Sequence, residues 1–260
     1  MGSAASMGEW EPFRQAADEL GLTVVWVVER ERIDPYYAGR SGSGGTMARA
    51  PAELHPDYRR AVLLGSGGGR FWSNFRAARS APPRPEENPL DRYTERVVEP
   101  LLERLRTADP AAVAAYPFTH DRQLLPFLGL IESVPALQTR PFGIPIDGSH
   151  GPWFAWRAAI LTATPYPPTE WLPEAPCAAC DAPCVRICPV QAVDVAGFRW
   201  GDCVAYRQSD GSCGERCLAR EACPVGTASR YPREAIRYHY GASLRTIRAR
   251  ASGAAPGGPR

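Results

Sequence analysis

The chain has 260 residues, of which 44% are hydrophobic, and a formal net charge of +2 at pH 7. This length and composition allow one sizeable core together with a small second module, and no apolar run approaches the length of a membrane span. The 30 basic residues are all arginines spread along the chain, so the charge pattern does not favour nucleic acid as a partner, and a lysine nucleophile or Schiff base is excluded.

The first elements of the chain are predicted to alternate between helix and strand. The amphipathic pattern of residues 9–20 predicts a helix, and the run LTVVWVV at 22–28 predicts a buried strand. A second apolar strand is predicted in AVLLGSGGG, residues 61–69. Its glycines could approach a phosphate, but with neither a lysine nor a GxGxxG frame a plain strand exit is an equal alternative.

The middle of the chain predicts two further helices and a strand. The segment NPLDRYTERVVEPLLERL, residues 88–105, predicts a long helix with Asn88 as N-cap and a kink at Pro100. Residues 114–134 combine a short extended piece with a helix, and residues 153–162 are strand-like. A proline-rich linker then leads to the cysteines.

All eight cysteines lie in two runs, CAACDAPCVRICP and CVAYRQSDGSCGERCLAREACP, and each run ends in Cys-Pro. A [4Fe–4S] cluster needs four thiolates, and in two-cluster ferredoxins the fourth cysteine of each run serves the other cluster. The spacing therefore predicts two crossed ligand sets. They are Cys177, Cys180, Cys184 and Cys223 for the first cluster, and Cys203, Cys213, Cys217 and Cys188 for the second.

Two other uses of the cysteines stay open. Disulfides would explain the even count, but the first residues do not have the pattern of a secretory signal peptide. Structural zinc uses CxxC pairs, but it needs only four ligands and does not require Cys-Pro. We therefore expect iron–sulfur clusters in a soluble, cytoplasmic protein. The long loop between Cys203 and Cys213 makes the second cluster the less regular one.

Four segments before residue 165 resemble the cobalamin-processing CblC family: AVLLGSGG, NPLDRYTERVVEPLLERL, YPFTHDRQLLP and IDGSHGPWFAWRAAIL. More distantly, they are similar to the corrinoid-binding parts of epoxyqueuosine reductase and of the reductive dehalogenases. The last segment is the most specific, because its Gly151, Trp153, Phe154 and Arg157 fall where the family has its GGWFxxR pattern. The resemblance implies a nitroreductase-like α+β domain that holds cobalamin with its nucleotide base detached from cobalt.

The predicted fold class is therefore α+β, with a nitroreductase-like cobalamin-binding domain followed by a small ferredoxin-like module with two [4Fe–4S] clusters. The corrinoid-binding domain is predicted at 9–165, the iron–sulfur module at 166–240 and a disordered tail at 241–260. A cluster beside a corrin would provide an electron path to cobalt.

The resemblance also implies roles for individual residues. His120 and Asp121 fall where relatives carry a histidine and a proposed proton donor, so they are candidate catalytic acids. A surface histidine and a helix N-cap are equally good interpretations. The residues implied to line the cofactor pocket are Gly151, Trp153, Phe154 and Arg157. The two aromatic ones lie on an apolar strand and are core residues by default.

These observations favour an iron–sulfur corrinoid protein that binds base-off cobalamin and reduces it, either to remove its upper ligand or to drive another reductive step. Such a protein needs an external electron donor, such as a flavodoxin or a ferredoxin reductase. One alternative is an epoxyqueuosine-reductase-like tRNA-modifying enzyme, which the absence of a basic cluster in the sequence disfavours. Another is a non-catalytic cobalamin chaperone or electron-transfer protein.

Overall fold

The computed structural model describes residues 3–38, 49–79, 88–118, 125–135, 137, 141–171, 176–194, 196–209 and 211–252. Helices and strands are mixed along the chain, so the predicted α+β class is confirmed. The chain divides into two compact units. The first comprises Met1–Ala78, Pro89–Pro135 and Ala155–Leu172, and the second comprises Arg79–Asn88, Ala136–Phe154 and Pro173–Arg260.

A four-stranded sheet forms the centre of the first unit, in the order β1-β2-β4-β3. The strands are β1 (Val24–Glu29), β2 (Arg60–Gly67), β3 (Val113–Ala115) and β4 (Phe154–Thr162). Strand β1 pairs antiparallel with β2, and β3 pairs antiparallel with β4. Nearly every residue of β2 is buried, which explains why this strand is a continuous apolar run and does not alternate between apolar and polar residues.

Six helices of the described ranges precede or separate these strands along the chain. They are α1 (Ser3–Glu19), α2 (Arg30–Tyr37), α3 (Pro51–Leu54), α4 (Arg70–Ala78), α5 (Pro89–Arg106) and α6 (Phe127–Glu132). The predicted helix at 88–105 is confirmed as α5, whose apolar stripe of Val97, Val98, Leu101 and Leu105 is buried. Pro100 lies on its exposed side. No helix in the described part of the chain is long and apolar enough to cross a membrane.

The second unit is built from short elements around the cysteines. They are α7 (Pro183–Ile187), β5 (Val193–Asp194), β6 (Gly197–Phe198), α8 (Trp200–Gln208), α9 (Leu218–Glu221), a 3-10 turn (Thr227–Ser229) and α10 (Arg233–Ala251). Strands β5 and β6 pair antiparallel. The core of the unit consists of Phe142, Ile146, Cys184, Val193, Ala219 and Cys223.

The C-terminal helix is longer than the sequence predicts. Helix α10 continues to Ala251, so residues 241–251, which the sequence assigns to a disordered tail, are helical. Arginine, alanine and leucine favour helix, and α10 contacts α8, so neighbouring structure supports a segment that carries few apolar residues. Residues 253–260 lie outside the described part of the chain.

A buried hydrogen-bond network joins three segments of the first unit. Asp109 Oδ2 lies 2.9 Å from His55 Nε2 and accepts hydrogen bonds from the Thr162 hydroxyl at 2.9 Å and the Ala163 N–H at 2.7 Å. Burial alone would raise the pKa of Asp109, but these hydrogen bonds outweigh it and lower the pKa. The network therefore stabilises the fold above pH 3.8, the ordinary pKa of this group, and this contribution is lost as the pH falls through the lowered pKa.

We expect Asp109→Asn to lower the free energy of unfolding by about 2–3 kcal/mol at pH 7, because a charged acceptor shared by buried donors is removed. Urea unfolding measures this loss. The exposed Asp57→Asn serves as the control and should change stability by less than about 0.5 kcal/mol. The difference in the free energy of unfolding between Asp109→Asn and the unaltered protein should become smaller in strong acid. A difference that stays constant there would contradict the role of the ionised carboxylate.

Candidate metal centre

The eight cysteines lie in or beside the short helices of the second unit, and none of them forms a disulfide. Cys184 lies within α7, and Cys188 follows the end of this helix. Cys203 lies within α8. Cys217 is the N-cap of α9, and Cys223 follows shortly after its end. The short helices and the turns between them thus place cysteines from both runs in or against the core of the second unit.

One group of thiols combines the first run with the last cysteine of the second. Burial is the main cause that raises the pKa of Cys184 to about 11, and Cys223, Cys177 and Cys180 raise it further by charge repulsion. The same repulsion links Cys177 with Cys223 and Cys180. Cys184 and Cys223 also belong to one buried cluster, and Cys177 packs against it.

A second group combines the second run with Cys188. Burial again dominates in raising the pKa of Cys203 to about 11, with repulsion from Cys217, Cys213 and Cys188. All four thiols of this group line one cavity of about 310 Å³. Its other walls are largely apolar and include Phe142, Ile144, Val190, Val193 and Phe198. These four cysteines are the members of the second ligand set predicted from the spacing, and the ligation of a cluster by either set stays a prediction.

The cavity volume bears on what the thiols could hold. Four thiolates around a single zinc ion lie about 2.3 Å from it and enclose no further space. The cavity that the second group lines has a volume of about 310 Å³, which leaves room for a group larger than a single ion. Among the described residues, no three His, Cys, Asp or Glu side chains are arranged to hold one metal ion.

Backbone amides support three of the thiols. The Arg220 N–H donates to Cys217 Sγ at 3.4 Å. Corresponding backbone hydrogen bonds reach Cys184 from Val185 and Cys223 from Val225. Because an amide donor favours the thiolate over the thiol, these contacts oppose the effect of burial and suit sulfurs that ligate metal.

Two backbone contacts hold the chain that follows Cys223. Gly151 has a φ of +57°, and a Cβ at this position would lie 2.1 Å from the Val225 carbonyl oxygen. Gly226 has a φ of +65°, and a Cβ there would lie 2.0 Å from the carbonyl carbon of His150. Only glycine permits so close an approach. Gly151, an implied cofactor residue, therefore has a packing role within the second unit.

Trp153 is enclosed in the same unit, with none of its surface exposed. The guanidinium groups of Arg220 and Arg230 lie 4.7 and 5.5 Å from its ring centre, and Tyr231 meets it edge-on at 5.9 Å. Arg220 Nε also donates to the Pro152 carbonyl oxygen at 3.0 Å. These contacts connect the segment before β4 to α9, which carries Cys217 at its start.

The other implied residues are divided between the units. Phe154 is buried in the second unit, 6.4 Å from the His150 ring. Arg157 belongs to the first unit, where Nε donates to the Ser66 hydroxyl at 2.9 Å and the guanidinium covers the Phe71 ring. His120 and Asp121 lie outside the described residues, so their catalytic roles stay predictions.

The structure adds two residues that the sequence did not single out. Arg207 is 6% exposed and lines the cavity of the second thiol group. It follows Cys203 by one helical turn, and this i, i+4 spacing was a usable signal. Tyr240 of α10 forms hydrogen bonds with Cys217 and Arg220. Tyr240 is far from Cys217 and Arg220 in sequence, so no spacing pattern indicates this contact.

Solved structures with a similar fold include several epoxyqueuosine reductases. The Bacillus subtilis enzyme has a TM-score of 0.59 and 13% identity, over 88% of this chain and 68% of that chain. A selenomethionine-labelled epoxyqueuosine reductase has a TM-score of 0.58 and 12% identity, over 87% and 68%. A complex with an epoxyqueuosine-modified tRNA stem loop has a TM-score of 0.56 and 12% identity, over 89% and 69%.

The B12-trafficking protein CblC of C. elegans also matches, with a TM-score of 0.49 and 13% identity over 90% of this chain and 92% of that chain. No protein-family model and no curated protein sequence matches the chain. The likeness to epoxyqueuosine reductase that the sequence indicates is confirmed at the level of the fold.

We expect Gly151→Ala and Gly226→Ala each to destabilise the protein by about 2–4 kcal/mol, since each adds a side chain at positive φ and against backbone. Gly197→Ala is the control, because a Cβ at this position meets nothing within 4 Å. Urea unfolding of the three variants measures the difference. Equal stability of Gly151→Ala and Gly197→Ala would contradict the tight contact.

Proposed function

We propose that the chain is an iron–sulfur protein that holds two [4Fe–4S] clusters and uses them to reduce a bound corrinoid. The observation that supports the proposal most is one cavity lined by Cys188 together with Cys203, Cys213 and Cys217, because Cys188 belongs to the first run and the other three to the second. The first cluster would be held by Cys177, Cys180, Cys184 and Cys223. The second would be held by Cys203, Cys213, Cys217 and Cys188.

The chain's own residues suit this task. Four soft thiolates are the donor set that a [4Fe–4S] cluster requires. Apolar side chains such as Phe142 and Phe198 would exclude water from the second cluster, and the amides beside Cys184, Cys217 and Cys223 would compensate part of the thiolate charge. When bound, such clusters supply one-electron transfer.

The corrinoid part of the proposal rests on two supports. Residues 146–161 resemble the CblC family and the corrinoid-binding parts of epoxyqueuosine reductase, and the fold is that of epoxyqueuosine reductase. Gly151 and Trp153 have packing partners within the second unit and stay proposed contacts of the corrinoid. Phe154 and Arg157 are the remaining proposed contacts, with His120 and Asp121 as proposed proton donors. A flavodoxin or a ferredoxin reductase would load the clusters.

A second candidate is reduction of an epoxyqueuosine-type nucleoside in tRNA. The fold match favours it, and one of the matching structures contains a modified tRNA stem loop. Helix α10 also carries exposed arginines that suit a phosphate backbone: Arg233, Arg237, Arg245 and Arg248. Because the chain spans 68–69% of the length of those reductases, an activity of the whole enzyme is only the second choice.

Iron and acid-labile sulfide analysis tests the clusters. After anaerobic reconstitution we expect about eight irons and eight sulfides per chain, since each of two cubes contains four of each. Cys203→Ser should reduce both values to about four. Ser212→Ala, an exposed change beside Cys213, should leave them unchanged. A protein that binds only one or two zinc ions and no sulfide would refute the proposal.

Cobalamin titration of the reconstituted protein tests the corrinoid separately. We expect the visible spectrum to shift to the base-off form, because the proposed pocket holds the cofactor with its nucleotide base detached. No shift at saturating cobalamin would exclude corrinoid binding while leaving the clusters in place. If reduced protein binds methyl- and cyanocobalamin but leaves them intact, a chaperone or electron carrier is favoured. Turnover of epoxyqueuosine-containing tRNA would favour the second candidate.

A further inference from the structure

The second thiol group has a buried cation in its wall. Arg207 is 6% exposed and lines the same cavity as the four thiols. Its guanidinium donates to the carbonyl oxygens of Cys213 at 3.3 Å and Tyr240 at 2.9 Å, and to the Ser243 hydroxyl at 3.2 Å. It also lies 5.1 Å from the centre of the Tyr240 ring. These contacts fix the guanidinium in place.

None of these acceptors carries a charge. Within the part of the chain that the structure describes, no carboxylate forms an ion pair with Arg207. A buried guanidinium without a counter-charge is costly, because desolvation is not repaid by attraction. The thiol group lines the same cavity as Arg207, and Arg207 acts electrostatically on Cys203. The cation is therefore placed to act on whatever these thiolates hold.

A second set of donors reinforces this effect. The Arg220 N–H donates to Cys217 Sγ, and the Arg220 side chain is held by the Pro152 carbonyl oxygen and covers the Trp153 ring. The Tyr240 hydroxyl hydrogen-bonds with Cys217 and Arg220. Hydrogen bonds to ligand sulfurs stabilise the more negative oxidation state of a cluster.

The first thiol group has a weaker counterpart. The cation that acts on Cys223 is Arg230, whose side chain is exposed and donates to the Glu221 carbonyl oxygen at 2.7 Å. Arg186, beside Cys184 in α7, is exposed and paired with Asp181 at 3.0 Å. Solvent screens exposed charges far more than buried ones. The two groups therefore differ in the positive potential that they experience.

We propose that Arg207, held by Cys213, Tyr240 and Ser243, raises the reduction potential of the cluster at the second thiol group above that of the first. This inference rests on the proposed two-cluster function. One-electron reduction adds one negative charge, and the buried guanidinium stabilises that charge. An electron supplied by a one-electron donor such as dithionite then resides preferentially at the second group. Arg207 does not ligate metal. It acts on the cluster through its charge.

Redox titration of the reconstituted full chain, with dithionite as reductant and electron paramagnetic resonance as readout, tests the proposal. The signal of the second cluster is the one lost in Cys203→Ser. In Arg207→Gln we expect its reduced-to-oxidised ratio at fixed potential to fall about tenfold, which is about 59 mV for one electron. Arg207→Lys should recover most of this loss. Arg245→Gln, which removes an exposed charge of α10, should leave this potential unchanged.

A second pair of variants tests the charge without removing the arginine. Ser243 is exposed and lies 3.2 Å from Arg207 Nη1, so Ser243→Asp would neutralise the guanidinium in place. We expect it to lower the same potential, whereas Ser243→Asn should not. If Arg207→Gln does not retain iron, the comparison of Ser243→Asp with Ser243→Asn tests whether the charge of Arg207 sets the potential of the second cluster.

The possible failures are distinguishable. Unaltered protein with fewer than about eight irons, or with one cluster signal, refutes the two-cluster function itself. Two clusters in the unaltered protein, with a second potential that is unchanged in Ser243→Asp or lies below the first, overturn the role of Arg207.

Discussion

The contact between Gly151 and the backbone at Val225 and Gly226 fixes the chain directly after Cys223. The neighbouring Trp153 is covered by Arg220, which links the same segment to α9 and so to Cys217. Cys217 and Cys223, the last cysteines of the second and the first thiol group, both lie next to these contacts. The two glycines permit the backbone approach that fixes the chain after Cys223 against His150 and Gly151. The second unit therefore depends on a segment that precedes β4 in sequence.

Local patterns predicted much of the fold. The apolar runs at 22–28 and 61–69 correspond to β1 and β2, and the apolar stripe at 88–105 corresponds to α5. These elements were predictable because the spacing of apolar residues along the chain indicates which residues are buried. The extension of α10 to Ala251 and the grouping of Ala136–Phe154 with the cysteines depend on contacts between distant segments. The proximity of Tyr240 to Cys217 is likewise a property of the folded chain alone.

The motif around Gly151 shows why a resemblance indicates a fold more safely than a contact. Gly151 and Trp153 were implied as cofactor residues, and within the second unit they have packing partners that explain their identity: a carbonyl oxygen that excludes any Cβ, and two guanidinium groups with a tyrosine around an indole. A family pattern can persist because it maintains such packing. The cysteines differ in this respect, since packing alone does not require eight thiols in two groups of four.

The crossed assignment of the clusters is tested most directly by two matched variants, Cys188→Ser and Cys184→Ser, which alter neighbouring positions of the same run. Electron paramagnetic resonance of the reduced, reconstituted protein would show which cluster each change affects. If the fourth cysteine serves the other cluster, Cys188→Ser loses the same signal as Cys203→Ser, and Cys184→Ser loses the same signal as Cys223→Ser. Loss of one common signal in Cys188→Ser and Cys184→Ser would contradict the crossed arrangement.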